Sequence, residues 1–197
     1  MKQTDMSCER EWKSICAAMR ANKTMCTLSL TERYLAQYPR DGRAWCVLGH
    51  TLYGIARYDK AVRALRKALR YMPNEAVYLA HYRMAMMYRR KGQYRAAERW
   101  FHKGIASAPK QTANLIGLGA ILARQGRTTE AKRYHRRAAN LGDEEGYLNL
   151  GLILRAEGKY EAALEAFDKA IQIDSDYELA KRERRDVAEA MKIGTRG

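Results

Sequence analysis

Histidine and cysteine are the residues here that could most readily catalyse a reaction or hold a metal ion, and their spacing favours neither use. There is no pair four residues apart, no HExxH motif and no acidic residue at metal-ligand spacing among the four histidines, His50, His81, His102 and His135. The four cysteines are separated by 8, 10 and 20 residues, which fits neither a CxxC pair nor a zinc ribbon. We therefore predict no metal site, reduced and packed cysteines, and packed, hydrogen-bonded side chains at His81 and His135.

Glycine-rich loops that hold phosphate are not recognisable either. The stretch Gly117-Leu118-Gly119 lacks the later glycine and the preceding strand of a dinucleotide-binding loop, and the Gly-Lys pairs do not have the spacing of a phosphate loop. An enzyme needs a convergent set of titratable groups, and the sequence shows none. We predict a protein that is not an enzyme and binds no cofactor.

An internal repeat indicates which helices position the remaining polar residues. Four alanines, Ala61, Ala97, Ala131 and Ala163, stand 36, 34 and 32 residues apart, each shortly after a turn-like segment. Sixteen residues before each alanine stands a bulky residue: Trp45, His81, Leu115 and Tyr147. Seven residues after each alanine stands a small one: Ala68, Gly104, Ala138 and Ala170. This period indicates two helices in each unit, with small residues where their backbones approach closely.

The pattern resembles the tetratricopeptide repeat, whose unit reads W-x2-L-G-x2-Y, then A-x3-F-x2-A, then P. Trp45 to Gly49, followed by Ala61, Leu65, Ala68 and Pro73, is close to a full match. The resemblance covers four units over about residues 42 to 175. It implies an all-α fold, a right-handed solenoid of helical hairpins, in which each unit buries its apolar face against its neighbours.

The resemblance predicts one solenoid domain with seven segments. Residues 1–41 form a degenerate N-terminal repeat, and four clear repeats follow at 42–77, 78–111, 112–143 and 144–175. Residues 176–193 carry a narrow apolar stripe, which predicts a C-terminal capping helix. Residues 194–197 are expected to form a disordered tail.

Basic residues are concentrated in the first three clear repeats. The chain holds 37 Lys and Arg against 22 Asp and Glu, a net charge of +15. Residues 42–142 hold 21 basic and four acidic residues, whereas residues 143–197 hold nine basic and thirteen acidic ones. Such a surface favours acidic partners.

Repeat position predicts two functional surfaces from these residues. In the family, outward positions of the second helices face solvent on the convex side, which here predicts a basic ridge of Arg63, Arg66, Lys67, Arg70, Arg95, Arg99, Lys103, Arg133, Arg136 and Arg137. First-helix positions line a concave groove, which here predicts a peptide groove of Cys46, His50, Tyr53, Tyr82, Arg83, Met86, Arg89, Arg90, Ile116, Ala120, Arg124, Leu148, Asn149, Leu152 and Arg155. Its floor is apolar and its wall is basic.

The groove composition favours a scaffold or assembly factor that binds an acidic or amphipathic peptide of another protein. The carboxylate clamp with which some family members hold chaperone tails is absent, because Cys46, His50 and Arg83 replace the Lys and Asn residues it requires. The alternative is RNA binding through the basic ridge, although a ladder of exposed aromatic residues is missing.

Location and assembly are less constrained by the sequence. The first twenty residues carry charges where a signal peptide needs an apolar core, and no apolar run reaches the length of about eighteen residues that a transmembrane helix needs. We therefore expect a cytoplasmic protein. The oligomeric state stays open.

Overall fold

The computed structural model describes the backbone of residues 2–194 and the side chains of residues 7–192. Over that range the chain is helical, without a β-strand. The α-helices are α1 Lys2–Arg20, α2 Thr24–Gln37, α3 Gly42–Gly54, α4 Tyr58–Tyr71, α5 Val77–Arg90, α6 Tyr94–Ser107, α7 Thr112–Arg124, α8 Thr128–Ala139, α9 Glu144–Ala156, α10 Tyr160–Ile173 and α11 Glu178–Gly194. A short 3-10 helix, Asn74–Ala76, precedes α5.

The chain divides into two compact units at the link between α6 and α7. Unit 1 covers residues 1–107 and unit 2 covers residues 108–197. In unit 1, α3 packs against α4 and α5 against α6, while α2 contacts α3 and α4 contacts α5. In unit 2, α7 packs against α8 and α9 against α10, and α8 contacts α9. Each unit is thus a stack of antiparallel helical hairpins.

Glycine closes three of the hairpin turns because it tolerates a left-handed backbone. Gly92, Gly126 and Gly158 have φ of 72°, 76° and 73°, a region that residues with a Cβ rarely adopt. In the first clear hairpin the same conformation falls on Ala56, with φ of 60°. The turns therefore lie where the repeat spacing predicted them.

A second set of glycines lies where the two helices of a hairpin meet. A Cβ added to Gly49, Gly119 or Gly151 would lie 2.5–2.6 Å from the side chain of Leu65, His135 or Phe167 respectively. Each of these partners stands sixteen residues after its glycine. The small residues of the repeat are therefore contact points, as the sequence predicted.

The last helix covers the end of unit 2. Along α11, Ala180 and Val187 are fully buried and join a cluster with Phe167 and Ala170 of α10. An apolar stripe on α11 thus shields the hairpin below it, which is the role of the predicted capping helix. The predicted disordered tail, residues 194–197, lies outside the described residues except for Gly194, where α11 ends.

Three further properties of the described residues bear on function: the length and polarity of the helices, the grouping of metal-binding side chains, and the state of the cysteines. None of the helices there is both long and apolar enough to cross a bilayer. The same part of the chain brings together no group of three or more His, Cys, Asp or Glu side chains that could hold a metal ion. All four cysteines are free, but Cys26 is exposed, so the expectation that every cysteine packs is wrong at that residue.

Candidate functional site

In unit 1 the concave face lies where α3 and α5 run side by side. It brings together seven of the predicted groove residues, which we call the unit 1 groove: His50, Tyr53, Tyr82, Arg83, Met86, Arg89 and Arg90. Arg90 is exposed and the other six are half-buried, so their side chains are accessible from solvent. The eighth predicted residue of this unit, Cys46, is only 8% exposed and offers little surface to a ligand.

In the unit 1 groove, burial and the charge of Arg83 shift the pKa values of two side chains on α3. Burial and, to a lesser extent, the positive charge of Arg83 together lower the pKa of His50 to about 4, so this imidazole is neutral at physiological pH. Burial raises the pKa of the Cys46 thiol, which the Arg83 charge partly offsets. Arg83 therefore lies close enough to α3 for its charge to act on two residues of that helix.

Two arginines of the unit 1 groove lie beside tyrosine rings. The Arg90 guanidinium lies 5.4 Å from the centre of the Tyr53 ring, and that of Arg83 lies 5.7 Å from the centre of the Tyr82 ring. Among the described residues, no carboxylate forms an ion pair with Arg83, Arg89 or Arg90. The unit 1 groove is therefore a positive surface with aromatic flanks, and its positive charge is not balanced within the described part of the chain.

In unit 2 the concave face holds a hollow of about 400 Å³ between α7 and α9. We call it the unit 2 hollow; it is lined by Ala120, Ala123, Thr128, His135, Asn149, Leu152, Ile153 and Ala156. Three of these residues, Ala120, Asn149 and Leu152, were predicted from the sequence. Ile116 and Leu148, also predicted, are 7% and 3% exposed and pack inside the unit instead of lining the hollow.

The two arginines predicted for this face of unit 2, Arg124 and Arg155, lie outside the unit 2 hollow. No charged side chain lines the unit 2 hollow. Arg155 forms an ion pair with Glu183 of α11, a carboxylate that is itself 8% exposed. Its charge is therefore neutralised by the capping helix, while Arg124 is exposed near the end of α7. The repeat register gives no information about α11, so the sequence did not reveal this partner of Arg155.

His135 forms part of the floor of the unit 2 hollow. Burial lowers its pKa to about 4, with the Asp143 charge opposing the shift. Its Nδ1 is buried and has no hydrogen-bond partner among the described residues, so the expectation that it is hydrogen-bonded is wrong for this atom. The other predicted packed histidine, His81, places its Nδ1 3.2 Å from the Ser107 hydroxyl. The sequence thus located both rings, but not their polar contacts.

On the second helices, all ten residues of the predicted basic ridge are exposed. Two of the lysines in unit 1 lie over aromatic rings, Lys67 at 4.1 Å from the Trp45 ring and Lys103 at 4.4 Å from the Trp100 ring. In unit 2 the ridge residues Arg133, Arg136 and Arg137 border a separate hollow on α8. That hollow also includes Lys110 and Leu141, which sequence reasoning missed because they lie in links between helices, where helical position is undefined.

Comparison with known proteins identifies the repeat. The model of the cytochrome c-type biogenesis protein H TPR domain matches residues 21–145, and the tetratricopeptide repeat model matches residues 144–177. The TPR repeat-containing protein MJ1428 of Methanocaldococcus jannaschii is 27% identical over 140 residues, which are 70% of this chain and 24% of that protein. Anaphase-promoting complex subunit 3 of Schizosaccharomyces pombe is 22% identical over 154 residues, which are 77% of this chain and 23% of that protein. The chain spans about a quarter of the length of these curated relatives.

A solved structure agrees with the fold. YrrB, described as a TPR protein with an unusual peptide-binding site, superposes with a TM-score of 0.60 at 21% identity. The superposition covers 87% of this chain and 88% of YrrB. At that identity the likeness shows the fold alone, and it confirms the all-α helical-hairpin solenoid that the sequence predicted.

Proposed function

Because the chain belongs to the tetratricopeptide repeat family, whose members are protein-interaction scaffolds, we propose that it is a non-enzymatic scaffold or assembly factor that binds acidic, amphipathic segments of another protein on its concave faces. The unit 1 groove binds the acidic side chains of such a segment, with its tyrosines against the apolar ones. The unit 2 hollow, taken by itself, has no charged lining residue and suits apolar side chains. A repeat protein that offers such a surface needs no catalytic groups to function.

The single observation that carries this proposal is the charge of the unit 1 groove. Arg83, Arg89 and Arg90 stand on one helix beside Tyr53 and Tyr82, and no carboxylate of the described chain pairs with these arginines. Arginine and tyrosine are the residue types that most often dominate binding energy at protein interfaces. A ligand that brings carboxylates supplies the missing charge, and the aromatic flanks contact its apolar side chains.

Charge neutralisation in the unit 1 groove tests the proposal. The probe is a fluorescein-labelled helical peptide with glutamate on one face and leucine on the other, and binding is followed by fluorescence anisotropy at low salt. We expect the double variant R83Q/R89Q to raise Kd by about tenfold or more, since both arginines would contact carboxylates. Circular dichroism checks that the variant is folded.

A matched control is available on the same hairpin. R95Q/R99Q removes the same charge from α6, where both arginines are exposed on the predicted basic ridge. It should leave peptide affinity nearly unchanged. If R95Q/R99Q weakens binding as much as R83Q/R89Q does, the peptide responds to net charge alone and the concave site is refuted.

RNA binding through the basic ridge is the alternative, and the exposure of all ten ridge residues favours it. The same assay with labelled single-stranded RNA measures it directly. Under this alternative, RNA affinity falls steeply with salt and is reduced by R95Q/R99Q but not by R83Q/R89Q.

A further inference from the structure

A basic hollow lies on α8, on the side of that helix away from the unit 2 hollow. It has a volume of about 610 Å³, and we call it the α8 basic hollow after its main lining residues: Lys110, Arg133, Tyr134, Arg136, Arg137 and Leu141. His135 points into the interior of the unit and is 1% exposed, whereas the ridge residues Arg133, Arg136 and Arg137 are exposed. The two hollows of unit 2 therefore use different faces of one helix.

The charges of the α8 basic hollow are not balanced by its surroundings. Four of its lining residues are basic and none is acidic. The two nearest carboxylates in sequence are already engaged, because Glu130 pairs with Arg127 at 2.6 Å and Asp143 accepts a hydrogen bond from the Gly146 backbone at 2.9 Å. In the described part of the chain, Lys110, Arg133 and Arg136 form no ion pair. These three cations are available to a ligand.

One arginine of the α8 basic hollow is held in place. The Arg137 guanidinium donates a hydrogen bond of 3.0 Å to the Pro109 carbonyl, which joins α8 to the link before α7. This bond positions the guanidinium beside Lys110 and lowers the entropy that a ligand must remove on binding. The hollow is thus partly organised before any ligand arrives.

The hollow also has an apolar part. Leu141 is 42% exposed, and it lies with Tyr134 and Pro109 in the same depression. Apolar surface beside unpaired cations matches a protein segment that carries carboxylates next to a leucine or another aliphatic residue. Single-stranded RNA fits less well, because its bases need several exposed aromatic rings and this hollow contains one.

We propose that the α8 basic hollow is a second docking site, which binds an acidic protein segment through Lys110, Arg133 and Arg136 and holds an aliphatic side chain of that segment against Leu141. The site goes beyond the concave binding proposed above and is independent of it. A scaffold with two such sites can hold two acidic segments at once.

Isothermal titration calorimetry of the full chain tests the site, with a synthetic peptide of glutamate and leucine as the probe. The parent should show two binding sites. R133E/R136E should remove one of them or weaken it by more than about tenfold, because two favourable charges become repulsive. L141S should weaken the same site several-fold, since it removes only the apolar contact. R83Q/R89Q should affect the other site alone.

Controls and alternative outcomes keep the two proposals separate. R95E/R99E makes the same charge change on α6 of unit 1 and should leave the site on α8 intact. The second site is overturned if R83Q/R89Q binds no peptide at all, or if R133E/R136E still shows two unchanged sites. Either result remains compatible with the concave proposal. No measurable binding to the parent overturns both. If an oligouridylate binds more tightly than the peptide, is lost in R133E/R136E and is unaffected by L141S, the hollow is a nucleic-acid site and the proposal is wrong.

Discussion

Replacement of His135 by phenylalanine should stabilise the protein and remove much of its sensitivity to acid. In the other three hairpins the residue equivalent to His135 is apolar: Leu65, Phe101 and Phe167 each stand sixteen residues after a small residue of the first helix, as His135 does. Gly151 accommodates the Phe167 ring in the way Gly119 accommodates the His135 ring. The slot should therefore accept a phenyl ring, with the unit 2 hollow beside it as spare volume.

The gain at neutral pH comes from a polar atom that has no partner. His135 Nδ1 is buried without a hydrogen bond among the described residues, whereas water hydrates it in the unfolded chain. An unsatisfied buried polar group costs about 1–3 kcal/mol, and H135F removes it. We expect the free energy of unfolding at pH 7.5 to rise by about 1 kcal/mol or more.

The larger effect appears as the pH falls. The pKa of His135 is about 4 in the folded protein, below the ordinary value of 6.5. Between these values the unfolded chain binds a proton that the folded chain does not, so stability falls as the pH is lowered. For one such group the loss between pH 7.5 and pH 5 is about 2 kcal/mol. His50, whose pKa is also about 4, destabilises the protein in the same direction and remains in the variant.

Urea denaturation followed by circular dichroism measures both the stability gain at pH 7.5 and the stability loss on acidification. The stability difference between H135F and the parent should grow by about 2 kcal/mol between pH 7.5 and pH 5. If H135F loses as much stability on acidification as the parent does, the buried imidazole is not the source of the acid sensitivity and the argument is refuted.

Two further substitutions test the packing of each unit by urea denaturation. G119L should lower the free energy of unfolding by about 2 kcal/mol or more, because even a Cβ at this position lies 2.6 Å from the imidazole of His135. G54L is the control and should change stability little, because a Cβ there meets nothing within 4 Å. Equal effects of the two would show that the close contact is not limiting. Y34F should cost about 1–2 kcal/mol, since the buried hydroxyl donates a 3.0 Å hydrogen bond to Asp41, the N-cap of α3. Y38F is its control, and a loss as large as that of Y34F would contradict the assignment.

The repeat register was enough to predict the hairpins, their turns and their contact points. Gly92 and Gly158 were recognised as turns, and Gly49 and Gly151 as close contacts, because the same residue types recur at the same places in successive units. Exposure of the basic ridge follows from the same register, since a position on a helix determines the direction of its side chain relative to its own hairpin. These features depend on local periodicity, which the sequence contains in full.

Tertiary structure decided which of the predicted binding residues remain available. Arg155 is neutralised by Glu183, which stands 28 residues later on a helix outside the repeat. Lys110 and Leu141 meet in one hollow although 31 positions separate them in the sequence, because α7 and α8 are antiparallel and the link before α7 lies beside the end of α8. Periodicity gives the direction of a side chain from its own helix, whereas burial, pairing and shared hollows depend on what other helices and links bring beside it. For that reason the binding surfaces could be outlined from the sequence, while their charge balance and their shape required the packed chain.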